Sequence, residues 1–190
     1  VFINTQTFGV DASSHTSMSP WDLWSSSSAV RAKLSNYAFF RGNLHLQLNI
    51  SGSPYAYGKL LFTYVPYHLA NSCYVAYNDI LNNSVGATQL SNTLSLYNTW
   101  LSQFPGSVTV DMHENEPVIV HIPFICYKQQ FRLFNSATTV ITNSDSFEDF
   151  FEAGQFVITT INPLKMANDD TDGEVVVSTY AWCTDVHLGN

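Results

Sequence analysis

Polar and apolar residues alternate strictly from Asn43 to Ser51. Leu44, Leu46, Leu48 and Ile50 fall on one side, and His45, Gln47, Asn49 and Ser51 on the other. Successive side chains of a strand point to opposite faces, so this run predicts a strand with one apolar and one wet face. Gly52-Ser53-Pro54 breaks it with turn residues. Lys59 to Val65 is apolar almost throughout and stops at Pro66, the pattern of a strand buried on both sides. Further along, Val108, Val110 and Met112 alternate, and Asn115-Glu116-Pro117 reads as a turn. Strands are predicted over Val118 to Phe124, Gly154 to Lys165 and Glu174 to Trp182.

Two stretches fit less well. From His68 to Phe104 the chain is polar and rich in Asn and Ser, and Leu90, Leu94, Tyr97, Trp100 and Leu101 have spacings that allow a short helix. Residues 1–35 show strand periodicity only in their first few positions. They carry Pro20-Trp21-Asp22-Leu23-Trp24, then serines able to cap a short helix through Val30, Ala32 and Leu34. The expected division is therefore an N-terminal arm, 1–35, and an all-β domain, 36–190. Removal of the arm is expected to leave that domain folded. Antiparallel strands with one apolar face bury it most simply as two sheets packed face to face.

Composition narrows the function. Charged residues make up only 12% of the 190, and aromatics 14%. A surface so poor in charge is one that partners cover. The net charge is −8, with seven Lys and Arg in total. Phosphate-backbone binding needs clustered cations, so an autonomous nucleic-acid binder is disfavoured. Cys73, Cys126 and Cys183 are odd in number and lack CxxC spacing, as expected of isolated thiols in a cytosolic product. Neither a signal peptide nor an apolar run of membrane-crossing length stands out. A start at Val1 suits release from a polyprotein. Asn49-Ile50-Ser51 and Asn82-Asn83-Ser84 match the glycosylation sequon, which reads as chance in a cytosolic protein.

Catalytic chemistry finds little support. His113-Glu114-Asn115-Glu116 lies in a turn and is not the two-histidine helical zinc motif. His45, His113 and His121 lack the spacing of a jelly-roll metal enzyme, and no Gly-x-Ser-x-Gly elbow occurs. Cys126 and His121 are offset by an odd number, which puts them on opposite faces of a regular strand. No catalytic activity and no cofactor are expected. Asn168-Asp169-Asp170-Thr171-Asp172-Gly173 places oxygens at alternate positions with Gly sixth, like the first half of a calcium loop, but Thr179 stands where a bidentate Glu belongs. An acidic hairpin loop is the expected reading. Weak calcium binding by Asp169, Asp170 and Asp172 at a subunit contact is the minor one.

One run carries a likeness to a known family. NYAFFRGNLHLQLNISGSPYAYGKLLFTYVPY, from Asn36 to Tyr67, resembles the coat subunits of picornavirus-like viruses, closest to the dicistroviruses and marnaviruses. The HIPFI step after Asn115-Glu116-Pro117, the Asn-Pro-Leu close of the next strand, and the ending AWCTDVHL are similar to the same family in order and spacing. The resemblance spans Trp21 to Leu188. It implies an eight-stranded antiparallel jelly-roll sandwich with an extended N-terminal arm. It implies a structural coat subunit of a small non-enveloped icosahedral positive-strand RNA virus, joined to two other jelly-roll subunits in a pseudo T=3 shell. The expected partners are other capsid proteins, copies of this chain and, weakly, packaged RNA, with no membrane insertion. The expected location is the virion, and host cytoplasm during assembly. The Pro-Trp lead-in favours the subunit encoded first in the polyprotein. By the resemblance, Trp21, Trp24, Val30 and Leu34 contact neighbouring subunits, and Trp21 and Trp24 offer faces for RNA bases to stack on. The residues equally allow both tryptophans to plug the bottom of their own barrel. The alternative function is a secreted carbohydrate-binding jelly roll, with Tyr55, Tyr57, Tyr67, Tyr74 and Tyr77 in exposed loops.

Overall fold

The computed structural model describes residues 1–10, 15–70, 96–133, 147–167 and 173–190. Its strands are β1 (Phe2–Gly9), β2 (His15–Met18), β3 (Phe39–Ser51), β4 (Ala56–Pro66), β5 (Val108–Asp111), β6 (Val118–Ile122), the two-residue β7 (Phe131–Arg132), β8 (Gly154–Met166) and β9 (Glu174–Gly189). Short helices are α1 (Pro20–Ser26), α2 (Ser28–Leu34), α3 (96–101) and α4 (Glu148–Glu152).

Two antiparallel sheets form. One has the order β1-β9-β3-β6, with β7 paired to the start of β3, and the other β2-β8-β4-β5. Leaving out β7, the first strand pairs with the last (β1 with β9), the second with the last but one (β2 with β8), then β3 with β6 and β4 with β5. That nesting is a long hairpin rolled into a sandwich, the eight-stranded jelly roll expected from the sequence.

The alternation in β3 is realised. Leu44, Leu46, Leu48 and Ile50 are buried in the main core, facing Leu60, Phe62, Phe156 and Ile158 of the other sheet. Leu60 to Val65 are all buried, as a doubly covered strand requires. The cover is α3, whose Tyr97 and Leu101 pack with Leu61, Val65 and Val157 into a second, smaller core. Asn98 ties it down, accepting from Thr159 Oγ1 at 3.1 Å and donating to the Thr160 carbonyl at 3.2 Å. The helix expected around Tyr97, Trp100 and Leu101 is thus present. Leu90 and Leu94 lie outside the described residues.

The arm is corrected. Residues 1–35 supply β1 and β2, one strand to each sheet, and the two helices that close one end. Trp21 is 1% and Trp24 7% exposed, and Leu34 is buried too. Trp21 meets Phe40, Phe131 and Phe150 at ring-centroid distances of 6.1, 5.4 and 6.0 Å. Pro20 starts α1, where its missing N–H costs nothing. Positions three apart then share a helix face, which turns both indoles inward. Neither ring offers a face to a neighbouring subunit or an RNA base, so those assignments fall. Trp21, Trp24 and Leu34 belong to the chain's own core. Val30 is half-buried and packs against that core.

Strand ends differ as well. β6 stops at Ile122, before Pro123, so Cys126 lies in the following loop and not on the strand. β9 continues past Trp182 to Gly189, pairing with the start of β3 beyond a register shift at Arg41/Asn43.

Candidate interaction surface

The two sheets differ on their outer faces. The outer face of β4-β8 is roofed by α3, whereas that of β1-β9-β3-β6 carries no covering element among the described residues. Register builds this bare face in rows. Trp182, His45 and His121 lie side by side; so do Phe2, Tyr180, Gln47 and Ile119; then Thr5, Ser178 and Asn49; then Thr7, Val176 and Ser51. None of these residues is Asp, Glu, Lys or Arg. Ile119 is 59% and Trp182 36% exposed, and Phe2 and Tyr180 are exposed with them.

Side chains along the rows are ordered by one another. The Phe2 ring meets Tyr180 edge-on at 5.6 Å. Gln47 Nε2 donates to Asn49 Oδ1 at 2.9 Å. His45 stacks on Trp182, with centroids 5.4 Å apart and planes 9° from parallel. His121 stands 4.7 Å from the other side of the pair, and Thr184 Oγ1 lies 2.9 Å from His45 Nε2. Partial burial holds the His45 imidazole below its ordinary pKa; His121 pushes the same way and Asp185 opposes. At the β6 end the face adjoins an apolar groove of about 550 Å³, lined by Tyr64, Phe104, Val108, Ile119, His121 and Ile125.

One buried ionic cluster has a structural task. Asp149 of α4 accepts from Lys128 Nζ at 2.6 Å and from the Arg132 backbone N–H at 2.8 Å, with the Arg132 guanidinium at 3.4 Å. Burial works against the charged carboxyl, but these donors outweigh it and hold the Asp149 pKa below its ordinary value. The cluster pins the loop before β7 to the helix that carries Phe150. A second pin is the Asn115 side chain, which accepts from the Gly52 N–H at 3.1 Å and so joins two turns.

Other sequence candidates disperse. Asp169, Asp170 and Asp172, Cys73, Tyr74, Tyr77 and the second sequon lie outside the described residues. Tyr55 and Tyr57 are exposed, while Tyr67 is half-buried beside Tyr127. Burial pushes the Cys183 thiol up to about 12, so it stays protonated. Among the described residues, no three His, Cys, Asp or Glu gather as a metal cluster, and no helix is long and apolar enough to cross a membrane.

No protein-family model matches the sequence, and no curated protein matches it. Solved structures do. A protein of a marine algae virus of the order Picornavirales matches with a TM-score of 0.71 at 22% identity, over 99% of this chain and 70% of that one. A chain of the Triatoma virus empty capsid matches with 0.72 at 18% identity, over 100% and 89%. A chain of the Israel acute paralysis virus pentamer matches with 0.68 at 15% identity, over 100% and 90%. At such identities the likeness establishes the fold: a jelly roll of the kind found in these capsids.

Proposed function

We propose that the chain is a structural coat subunit of a small non-enveloped icosahedral RNA virus, without catalysis of its own. The observation that carries this is the bare face. It is a four-row sheet surface holding Phe2, Tyr180, Trp182 and Ile119 and no charged residue, on a chain with 12% charged residues in all. Exposed apolar patches of this kind mark protein contacts. In a shell the neighbouring coat subunit covers them, and the sandwich acts as a tile.

The finer reading is a pseudo T=3 shell shared with two other jelly-roll subunits, this one being encoded first in their polyprotein. The proteins sit in the virion, and in host cytoplasm while they assemble. RNA contact from this subunit is weak, since the chain carries −8. By the sequence, Asp169, Asp170 and Asp172 read as an acidic hairpin loop, with weak calcium binding at a subunit contact as the minor reading.

Expression of the chain with its polyprotein neighbours tests the assignment by sedimentation and electron microscopy. Closed shells containing the chain are expected. The aromatic and amide groups of the bare face also suit a sugar-binding platform. A lasting monomer whose Trp182 fluorescence responds to a glycan would replace the coat reading with that one.

A further inference from the structure

We propose that His45 and His121 form a chelating pair for a divalent late first-row transition ion, Zn²⁺ or Cu²⁺, on the outer face of the sheet. The two residues are direct cross-strand partners in β3 and β6. Their ring centroids are 4.7 Å apart. Two imidazoles on one tetrahedral ion, with metal–nitrogen bonds of about 2.0–2.1 Å, have ring centres roughly 5 Å apart. The backbone register thus sets the spacing a shared ion needs.

The rings are also oriented. Trp182 stacks under His45. With the proton on Nε2, that nitrogen donates to Thr184 Oγ1 and Nδ1 keeps its lone pair. Ligating histidines are oriented by an acceptor on the far N–H, usually a carboxylate, carbonyl or water, and the Thr184 hydroxyl takes that place here. Two protein ligands leave the remaining coordination positions open on the solvent side of the sheet. Nothing in this inference depends on the coat assignment.

The test is titration of the full chain with Cu²⁺, which binds such nitrogen sites most strongly of the series, followed by electron paramagnetic resonance and calorimetry. One ion per chain with two nitrogen ligands is expected. H45Q and H121Q should each weaken binding at least tenfold, and the double variant should lose no more than about a further twofold, because a chelate is lost with either ring. H113Q, in an exposed turn, should bind like the parent. Zn²⁺ should raise the melting temperature of the parent and leave that of H121Q unchanged. Equal copper affinity in the parent and the double variant, or a one-nitrogen spectrum in the parent, would overturn the proposal.

Discussion

Trp21 of α1 meets Phe131 of β7 edge to face, with ring centroids 5.4 Å apart and planes at 82°. Two segments more than a hundred residues apart in sequence thereby share one aromatic cluster, to which Phe40 and Phe150 also belong. Trp21→Ala should cost about 3–5 kcal/mol in denaturant unfolding, the range for emptying a large aromatic site in a core. Deleting 1–35 should abolish the cooperative melt altogether, because it removes a strand from each sheet as well. A truncated chain with strand-rich circular dichroism and a sharp melt would restore the division into arm and barrel.

Asp149→Asn should destabilise the fold by about 1–3 kcal/mol, by leaving Lys128 and Arg132 without their shared carboxylate. The lower end is favoured, since both cations reach solvent. The native carboxyl has a depressed pKa, so its contribution is present above the ordinary Asp value near 4 and is lost as pH falls through the folded value. Chemical denaturation at stepped pH should show this acid slope in the parent and a shallower one in the variant.

His15 gives a separate acid response. Burial lowers its pKa from 6.5 to about 4. The unfolded chain therefore binds more protons between those values, and stability falls as pH drops from 6.5 towards 4, then levels off with respect to this group. His15→Phe keeps a ring against Tyr97, 5.8 Å away in the parent. The variant should lose that part of the slope, read as the change in its stability between pH 8 and pH 4.

Gly154 begins β8 where a Cβ would come within 2.6 Å of both the Tyr64 hydroxyl and the Val65 carbonyl. The same hydroxyl donates to the Ala153 carbonyl at 2.9 Å. Gly154→Ala should force this junction apart and lower stability by roughly 1–3 kcal/mol, the range for overpacking. Thermal melting reads the loss directly.

Much of the sandwich is legible in the pattern of residues, and the missing parts have physical reasons. β3 shows cleanly because one face is core and the other wet, and β4 because α3 covers its second face. β1 hides because Asn4 and Gln6 reach β2, donating to Met18 Sδ and accepting from Thr16 respectively, so polar residues stand at positions that an apolar stripe would otherwise mark. β2 has four residues, of which only Met18 is buried. The end of β9 loses its alternation at the register shift and at Asp185, whose φ is +51°. The bare face was half visible: the polar side of β3 is plain, but only pairing with β6 and β9 brings Ile119, His121, Tyr180 and Trp182 beside it. No local motif carries that.

Ile119→Glu separates folding from assembly. The side chain is 59% exposed, so stability should change by no more than about 0.5 kcal/mol. A carboxylate in the middle of an apolar contact should prevent shells from forming.

The central claim is that the outer face of β1-β9-β3-β6 is covered by neighbouring subunits. Hydroxyl-radical labelling read by mass spectrometry, on assembled particles and on the free chain, tests it at single residues. Tyr180, Trp182 and Ile119 should label strongly in the free chain and be protected several-fold in the particle, while buried Trp21 stays unlabelled in both. Equal labelling of Tyr180 and Trp182 in the two states would contradict the account.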